Sequence, residues 1–242
     1  TVSPVSSRPV ATQSTVLPSP VVFASCMLKK GSGNIVKETR NIESFTGLSV
    51  GGGFTVEISN GATQNVVVEA DDNLMKYVEM NVSGGELKVK LAHVSVTDAH
   101  LKLLITVPEI NRIAASAGCV VVSKTELKSA SAMKLAASAG SDIKVNLDAP
   151  EVSADASSGS EINISGRTKT FRAESSSGST LSASDLLSET TEAKASSGAS
   201  AHVYASVKLD AKASSGGDIV YKGGAASVIK EENSGGSVHK SD

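Results

Sequence analysis

Three carboxylates occupy one slot of a repeated phrase: Asp142, Glu161 and Asp218 each lie two residues after a glycine, at Gly140, Gly159 and Gly216. Stacked acidic side chains with basic residues beside them are the means by which some β-helix enzymes hold Ca²⁺ and cleave acidic polysaccharides. Lys144, two positions after Asp142, would be the basic partner. Thr180 and Ser200 fill the same slot in other repeats and interrupt the column. A broken column reads as a solvated charged face, and no metal site is expected there. The histidines, His93, His100, His202 and His239, share no metal-ligand spacing and read as surface residues. Gly51-Gly-Gly53 lacks the Lys-Ser/Thr tail of a phosphate loop and reads as a turn. The many serines flank glycines, with no histidine in sequence context to activate one. No catalytic residue, metal ligand or cofactor is therefore expected. The polysaccharide-active enzyme remains the alternative, with Asp142 and Glu161 its testable residues.

The elements that would position these residues follow from the glycines themselves. Gly118, Gly140, Gly159, Gly178, Gly198, Gly216 and Gly235 are separated by 22, 19, 19, 20, 18 and 19 residues. Each follows two or three small residues, as in Ala156-Ser-Ser-Gly159 and Ala195-Ser-Ser-Gly198. A fixed short period with one turn residue is the signature of a solenoid. Before each glycine, apolar or small residues recur at every second position, such as Val152, Ala154 and Ala156. After it the pattern resumes, with Ile143, Ile162, Leu181 and Ile219 at equivalent places. Period two with one apolar face predicts strands buried on one side. The expectation is an all-β chain folded as a right-handed parallel β-helix of about seven coils of about 19 residues, with an N-terminal sheet-rich cap. Glycine should supply positive φ at each corner. Inward serines should bond backbone groups or one another, since a buried unpaired hydroxyl costs about 1–3 kcal/mol.

The last repeat places Lys230, Glu232 and Lys240 in slots that are apolar or small elsewhere. A charged final rung would blunt an open sheet edge. Residues 34–110 alternate less regularly. Strands are expected at Phe45–Val50, Phe54–Ile58, Gln64–Glu69, Glu86–Leu91 and Leu101–Val107, hairpin turns at Asn60-Gly61 and Gly84-Gly85, and a helical turn capped by Asp72. The division expected is a leader or linker at 1–33, extended or disordered, a β-rich cap at 34–110, and a solenoid at 111–242 continuous with it.

Composition bounds the partners. Of 242 residues 40% are hydrophobic but only 3% aromatic, with no Trp, which suits a slim aliphatic core. Formal net charge is -2, so no basic stripe for nucleic acid is expected. No apolar run reaches the ~18 residues that span a bilayer as a helix. The two cysteines, Cys26 and Cys119, permit no disulfide framework, and Cys119 reads as a small packed residue. Val21-Val-Phe-Ala-Ser-Cys26 has the form of a bacterial lipoprotein cleavage site, in which Cys26 would carry the lipid, although Pro18 and Pro20 interrupt the stretch before it.

The order Lys37-Glu-Thr-Arg40, Phe45-Thr-Gly-Leu-Ser-Val50, Phe54-Thr-Val-Glu-Ile58 before Asn60-Gly61, Val68-Glu-Ala-Asp-Asp-Asn-Leu74, Gly85-Glu-Leu-Lys-Val89, Ile105-Thr-Val-Pro108 and the Ser-Gly coils resembles the bacterial head GIN domain ("putative auto-transporter adhesin") family of Bacteroidetes. The resemblance runs from about Gly33 to Gly223. It implies an all-β, β-helical protein exported to the cell envelope or exterior and often lipid-anchored. It carries over no catalytic residue. The function expected is a non-enzymatic surface module, an adhesin or a glycan- or protein-binding protein using the flat solenoid faces. Its membrane contact would be only through a lipid anchor. A structural subunit, self-associating through the coil ends or the N-terminal segment, is a further alternative.

Overall fold

The computed structural model describes residues 27–241, and Cys26 with its lipoprotein-like segment lies outside them. The chain is all-β, a solenoid of about six turns with an open, curled sheet. Seven corners bound those turns, which reconciles the spacing of the glycines with the count of coils. A single short 3₁₀ turn, Met75–Tyr77, is the only helical element among the described residues.

Inward alternation is what holds the stack. In the strand Asp142–Ala156 the residues Ile143, Val145, Leu147, Val152, Ala154 and Ala156 are buried. Their outward neighbours Asp142, Lys144 and Asn146 are exposed. Successive coils pair in parallel with matched register, Ile143 to Ile162, Ile162 to Leu181, Leu181 to Ala201 and Ala201 to Ile219. All five are 0% exposed. The aliphatic column read from the sequence is thus formed, and each fully buried Ile or Leu contributes about 1.5–3 kcal/mol.

The corners differ from expectation in one respect. Glycine is not alone in the left-handed region. The residue before it is there too, with φ of 54° at Ser158 and 68° at Gly159, and 54° and 68° at Ser177 and Gly178. The amide of Ser160 donates to Ser157 O (3.3 Å) and that of Ser179 to Ser176 O (3.2 Å), closing four-residue turns. Two consecutive positive φ values in a closed turn are the hallmark of type I′ geometry, which tolerates Asn, Asp and Gly best. Here Ala or Ser carries the strain. These residues point outward, and the inward corner residue is the one after glycine. Ser141, Ser160 and Ser179 are buried there, and each hydroxyl donates to a carbonyl one coil below, Ala115, Ala137 and Ala156, at 2.8, 2.9 and 2.8 Å. Backbone bonds run corner to corner as well, from Gly140 N to Ser158 O and Gly159 N to Ser177 O, both 3.1 Å.

The parallel ladder continues below residue 111. Gly47–Gly51 pairs with Arg112–Ser116, and Thr55–Asn60 with Val120–Ser123, around a corner at Gly52-Gly53. Beneath it lie Glu86–Leu91 and Leu101–Val107, which bring in antiparallel partners: Val78–Ser83 on the first, Asn65–Asp71 on the second, and Ile35–Arg40 outside that. The larger side chains Phe45, Phe54 and Leu74 fill this end of the core. Gly84-Gly85 forms the hairpin turn expected of it. Asn60-Gly61 does not: Thr55–Asn60 and Asn65–Asp71 each pair with Leu101–Val107, not with each other. Asp72 does not cap the 3₁₀ turn either, because its carboxylate accepts from Ser32 Oγ (2.6 Å) and Asn34 Nδ2 (2.8 Å). With Asp71, whose two oxygens accept the amides of Gly33 and His100 at 2.7 Å, it clasps the loop ahead of Ile35–Arg40.

At the far end, Lys230 Nζ donates to Val238 O (3.0 Å) and Glu232 Oε1 accepts Val238 N (2.7 Å). Charged side chains therefore satisfy the backbone of the last coil where apolar ones sit elsewhere, as the capping reading requires. Lys240 is exposed.

Candidate functional site

Two outward faces flank each row of corners, and their chemistry differs. On the strands before the corners, charges meet charges. Arg172 donates to Glu174 (2.5 Å) and to Glu192 (2.9 Å), and Lys194 reaches Glu192 (2.9 Å) and Glu174 (3.5 Å). Lys212 pairs with Glu231 at 3.0 Å. Burial raises the Glu174 carboxyl, but Arg172 and Lys194 hold it below its usual range. The hydrogen bond from Lys194 lowers Glu192. Asp155, at the foot of this ladder, is pushed up by loss of solvent and by the charge of Glu174.

On the strands after the corners, the polar groups form a groove of about 440 Å³. Its floor includes Val145 and Ile164. Its walls carry Lys144, Asn146, Asn163, Ser165, Ser182, Ser184 and Asp185, from three successive coils. The register explains its shape. Asn163 pairs with Ser182 but Ser165 pairs with Asp185, so the strand Thr180–Ala195 holds one extra residue and bulges. Bulges bend a strand and re-aim side chains. In the coil below, Gly166 at φ 115° lies so close to Leu147 that a Cβ would sit 1.9 Å from its carbonyl oxygen, and 2.9 Å from Asn146 Oδ1. Asn163 donates to Glu161 at 2.7 Å. The Lys144 amine, the Asp185 carboxylate, the Asn146 amide and the hydroxyls of Ser165, Ser182 and Ser184 have no side-chain partner among the described residues. Each keeps its hydrogen-bonding capacity for something outside the chain.

The acidic column is only partly assembled. Asp142 and Glu161 are register neighbours, while Thr180 and Ser200 separate them from Asp218. Asp218 instead accepts Ser237 Oγ (2.5 Å) and lies 3.4 Å from His239 Nδ1. His202 is the lateral neighbour of Ser182, a proximity the sequence did not reveal, but no hydrogen bond joins the two side chains. A nucleophile needs such a bond to a base that is itself oriented. His100 approaches Glu69 at 3.9 Å and His93 is exposed, both far down the chain from the groove. Among the described residues no three His, Cys, Asp or Glu side chains are grouped to hold a metal ion. Cys119 is free and fully buried at a corner, and burial pushes its thiol pKa up, the setting of an inert packed thiol. No helix among the described residues is long and apolar enough to cross a membrane.

Sequence reasoning singled out Asp142, Lys144 and Glu161 but not the groove beside them. The signal that could have found it is the 20-residue step between Gly178 and Gly198, one longer than the step before it, which is where the extra residue sits.

These features define a class: a β-solenoid with an ion-pair network on one outward face and an open polar groove on the other. The chain belongs to the head GIN domain family, described as "Putative auto-transporter adhesin, head GIN domain", which it matches over residues 44–225. Solved structures of similar fold include a "putative adhesin" from Bacteroides fragilis (14% identity, TM-score 0.82), covering 88% of this chain and 100% of that one. A "putative lipid binding protein" from Parabacteroides distasonis (18%, TM-score 0.69) and a "putative adhesin" from Parabacteroides merdae (18%, TM-score 0.65) each cover 89% of this chain and 100% of theirs. At such identities the likeness is one of fold. No functionally curated protein is significantly similar to the chain.

Proposed function

We propose that the protein is a non-catalytic recognition module of the bacterial cell surface, and that the groove of Lys144, Asn146, Ser165, Ser182, Ser184 and Asp185 is its contact site for glycan. The observation that carries this reading is the contrast in saturation. Arg172, Glu174, Glu192 and Lys194 on the opposite face satisfy one another, whereas the groove concentrates unpaired donors and acceptors over an apolar floor. Saccharides present hydroxyls that match such groups. Family membership supports a surface location. Attachment through a lipid on Cys26 is part of the proposal, and mass spectrometry of the mature N-terminus from native cells tests it.

Each net hydrogen bond contributes about 0.5–1.5 kcal/mol, so about half a dozen support binding near millimolar, about 4 kcal/mol. Adhesion then depends on many copies on one surface, through the gain that multivalency confers. The test is retention of the protein, multimerised on beads, by an array of envelope and host glycans. Retention should fall at least tenfold in Lys144→Ala/Asp185→Ala and stay unchanged in Lys212→Ala on the opposite face. Absence of retention on every glycan, or equal loss in both variants, overturns the proposal.

A further inference from the structure

Resting on that reading, we infer that the groove selects electrically neutral glycans, built of hydroxyl- and acetamido-bearing sugars, and excludes polyanionic ones such as polyuronates and sulfated chains. The first ground is the charge around it. Lys144 is the one cation of the lining, against Asp185 in the lining and Asp142 and Glu161, which lie two residues before Lys144 and Asn163 on the same outward face. The next basic side chain, Lys124, is 3.2 Å from Glu57, a carboxylate it shares with Lys102. The groove surroundings therefore carry a negative surplus.

The second ground is where the arginines are. Carboxylates and sulfates are best held by the planar, bidentate guanidinium. All four arginines of the described chain are committed elsewhere: Arg40 to Glu38, Arg112 to Glu86, Arg167 to Asp148, and Arg172 to Glu174 and Glu192. None lines the groove.

The third ground is what remains free. An unpaired carboxylate such as Asp185 accepts from two sugar hydroxyls but repels an anionic group. Three serine hydroxyls can donate or accept, and the Asn146 amide can do both, matching hydroxyls and acetamido groups. Lys144 donates to a hydroxyl or carbonyl oxygen without needing a counter-charge. Lys144 and Asp185 stand two coils apart, about 10 Å across the sheet at normal strand spacing. A ligand touching both is therefore longer than one sugar ring and runs across the coils.

The experiment compares retention of the multimerised protein on neutral oligosaccharides (glucans, mannans, N-acetylglucosamine oligomers) with retention on polyuronate and sulfated chains, at about 10 mM and about 1 M salt, where the Debye length is ~30 and ~3 Å. Expected are binding of at least one neutral class, changing less than twofold with salt, and at least tenfold weaker retention on the polyanions. Asp142→Asn, which touches no residue of the lining through a side-chain hydrogen bond, should raise polyanion retention at low salt and leave neutral binding intact. A wild-type preference for polyanions that high salt abolishes overturns the inference; if Lys144→Ala/Asp185→Ala also removes that binding, the glycan-site reading survives it. No retention on either class overturns both. Unchanged thermal unfolding of each variant confirms that a change in retention belongs to the groove.

Discussion

The two outward faces of the solenoid are built on the same strands, yet one carries a network of ion pairs and the other an open polar groove. Before the corners, Arg172, Glu174, Glu192 and Lys194 sit on adjacent coils and exchange four ion pairs. After the corners, Lys144, Asn163 and Ser182 occupy matching places on successive coils, where the Lys144 amine and the Ser182 hydroxyl find no side-chain partner among the described residues. Stacking identical coils forces like positions together, so a face is quiet only if signs alternate from coil to coil. On one side alternation is achieved between Arg172 and Glu192 and between Glu174 and Lys194, although Glu192 faces Asp210 and Lys194 faces Lys212 on the next coil. On the other, a bulge displaced the pattern and opened a groove. Stability therefore resides in the interior and corners, and the outward residues of the groove contribute least to it.

The strongest way to break this comparison is to show that the groove face is also structural. Ile162→Asp, one residue from the groove-lining Asn163, should cost about 4 kcal/mol or more, because a carboxylate would enter a fully buried site. Asn163→Asp, which loses only an exposed hydrogen bond to Glu161, should cost about 1 kcal/mol. Similar losses from the two, measured by denaturant unfolding, would mean that inward and outward have been misassigned.

Next in size are the glycines. Gly166→Ala should cost about 3 kcal/mol, since its Cβ would collide with backbone as well as suffer positive φ. Gly178→Ala should cost about 1–2 kcal/mol, because nothing lies within 4 Å of its Cβ and only the left-handed φ opposes it. The reverse ranking would show that the corners, not the close approach of Gly166 to Leu147, are the tight points of the stack. Ser160→Ala should cost about 1 kcal/mol for the lost bond to Ala137 O.

The smallest effects sharpen the electrostatic half. Glu174 and Glu192 have folded pKa values below their unfolded ones. Their stabilisation is present above the unfolded carboxylate range and is lost as pH falls through the folded values. Asp155 is raised and contributes with the opposite sign, favouring the fold below its unfolded pKa and losing that as pH rises. Lys194→Met should therefore flatten the acid-side fall in Tm slightly, and the difference should vanish at about 1 M salt, where screening reaches ~3 Å. Ser182→Ala in the groove should leave Tm unchanged at every pH while weakening retention on glycan.

Most of the architecture was legible in advance, because a period of about 19 combined with a period of two assigns each side chain to inside or outside. Ile143, Ile162, Leu181 and Ile219 are buried as read. The misreadings share a cause. Asn60-Gly61 and Asp72 carry local turn and cap chemistry, but long-range partners claimed them, Leu101–Val107 in one case and Ser32 with Asn34 in the other. The strands Ile35–Arg40 and Val78–Ser83 lie at the outer edge of the cap, where the alternation is weak and half-exposed.

The amino-acid order by itself determined the solenoid, its corners and its inward columns, since these depend on short-range periodicity and on small residues recurring at one interval. Only the tertiary structure decided which charges neutralise each other and which stay free. That outcome depends on contacts between residues one coil apart, and a single added residue between Gly178 and Gly198 shifts the lateral pairing along a strand from Asn163 with Ser182 to Ser165 with Asp185. Hydrophobic burial tolerates such a shift because it is non-directional. Hydrogen bonds and ion pairs do not, because they require their partners within about 3–4 Å.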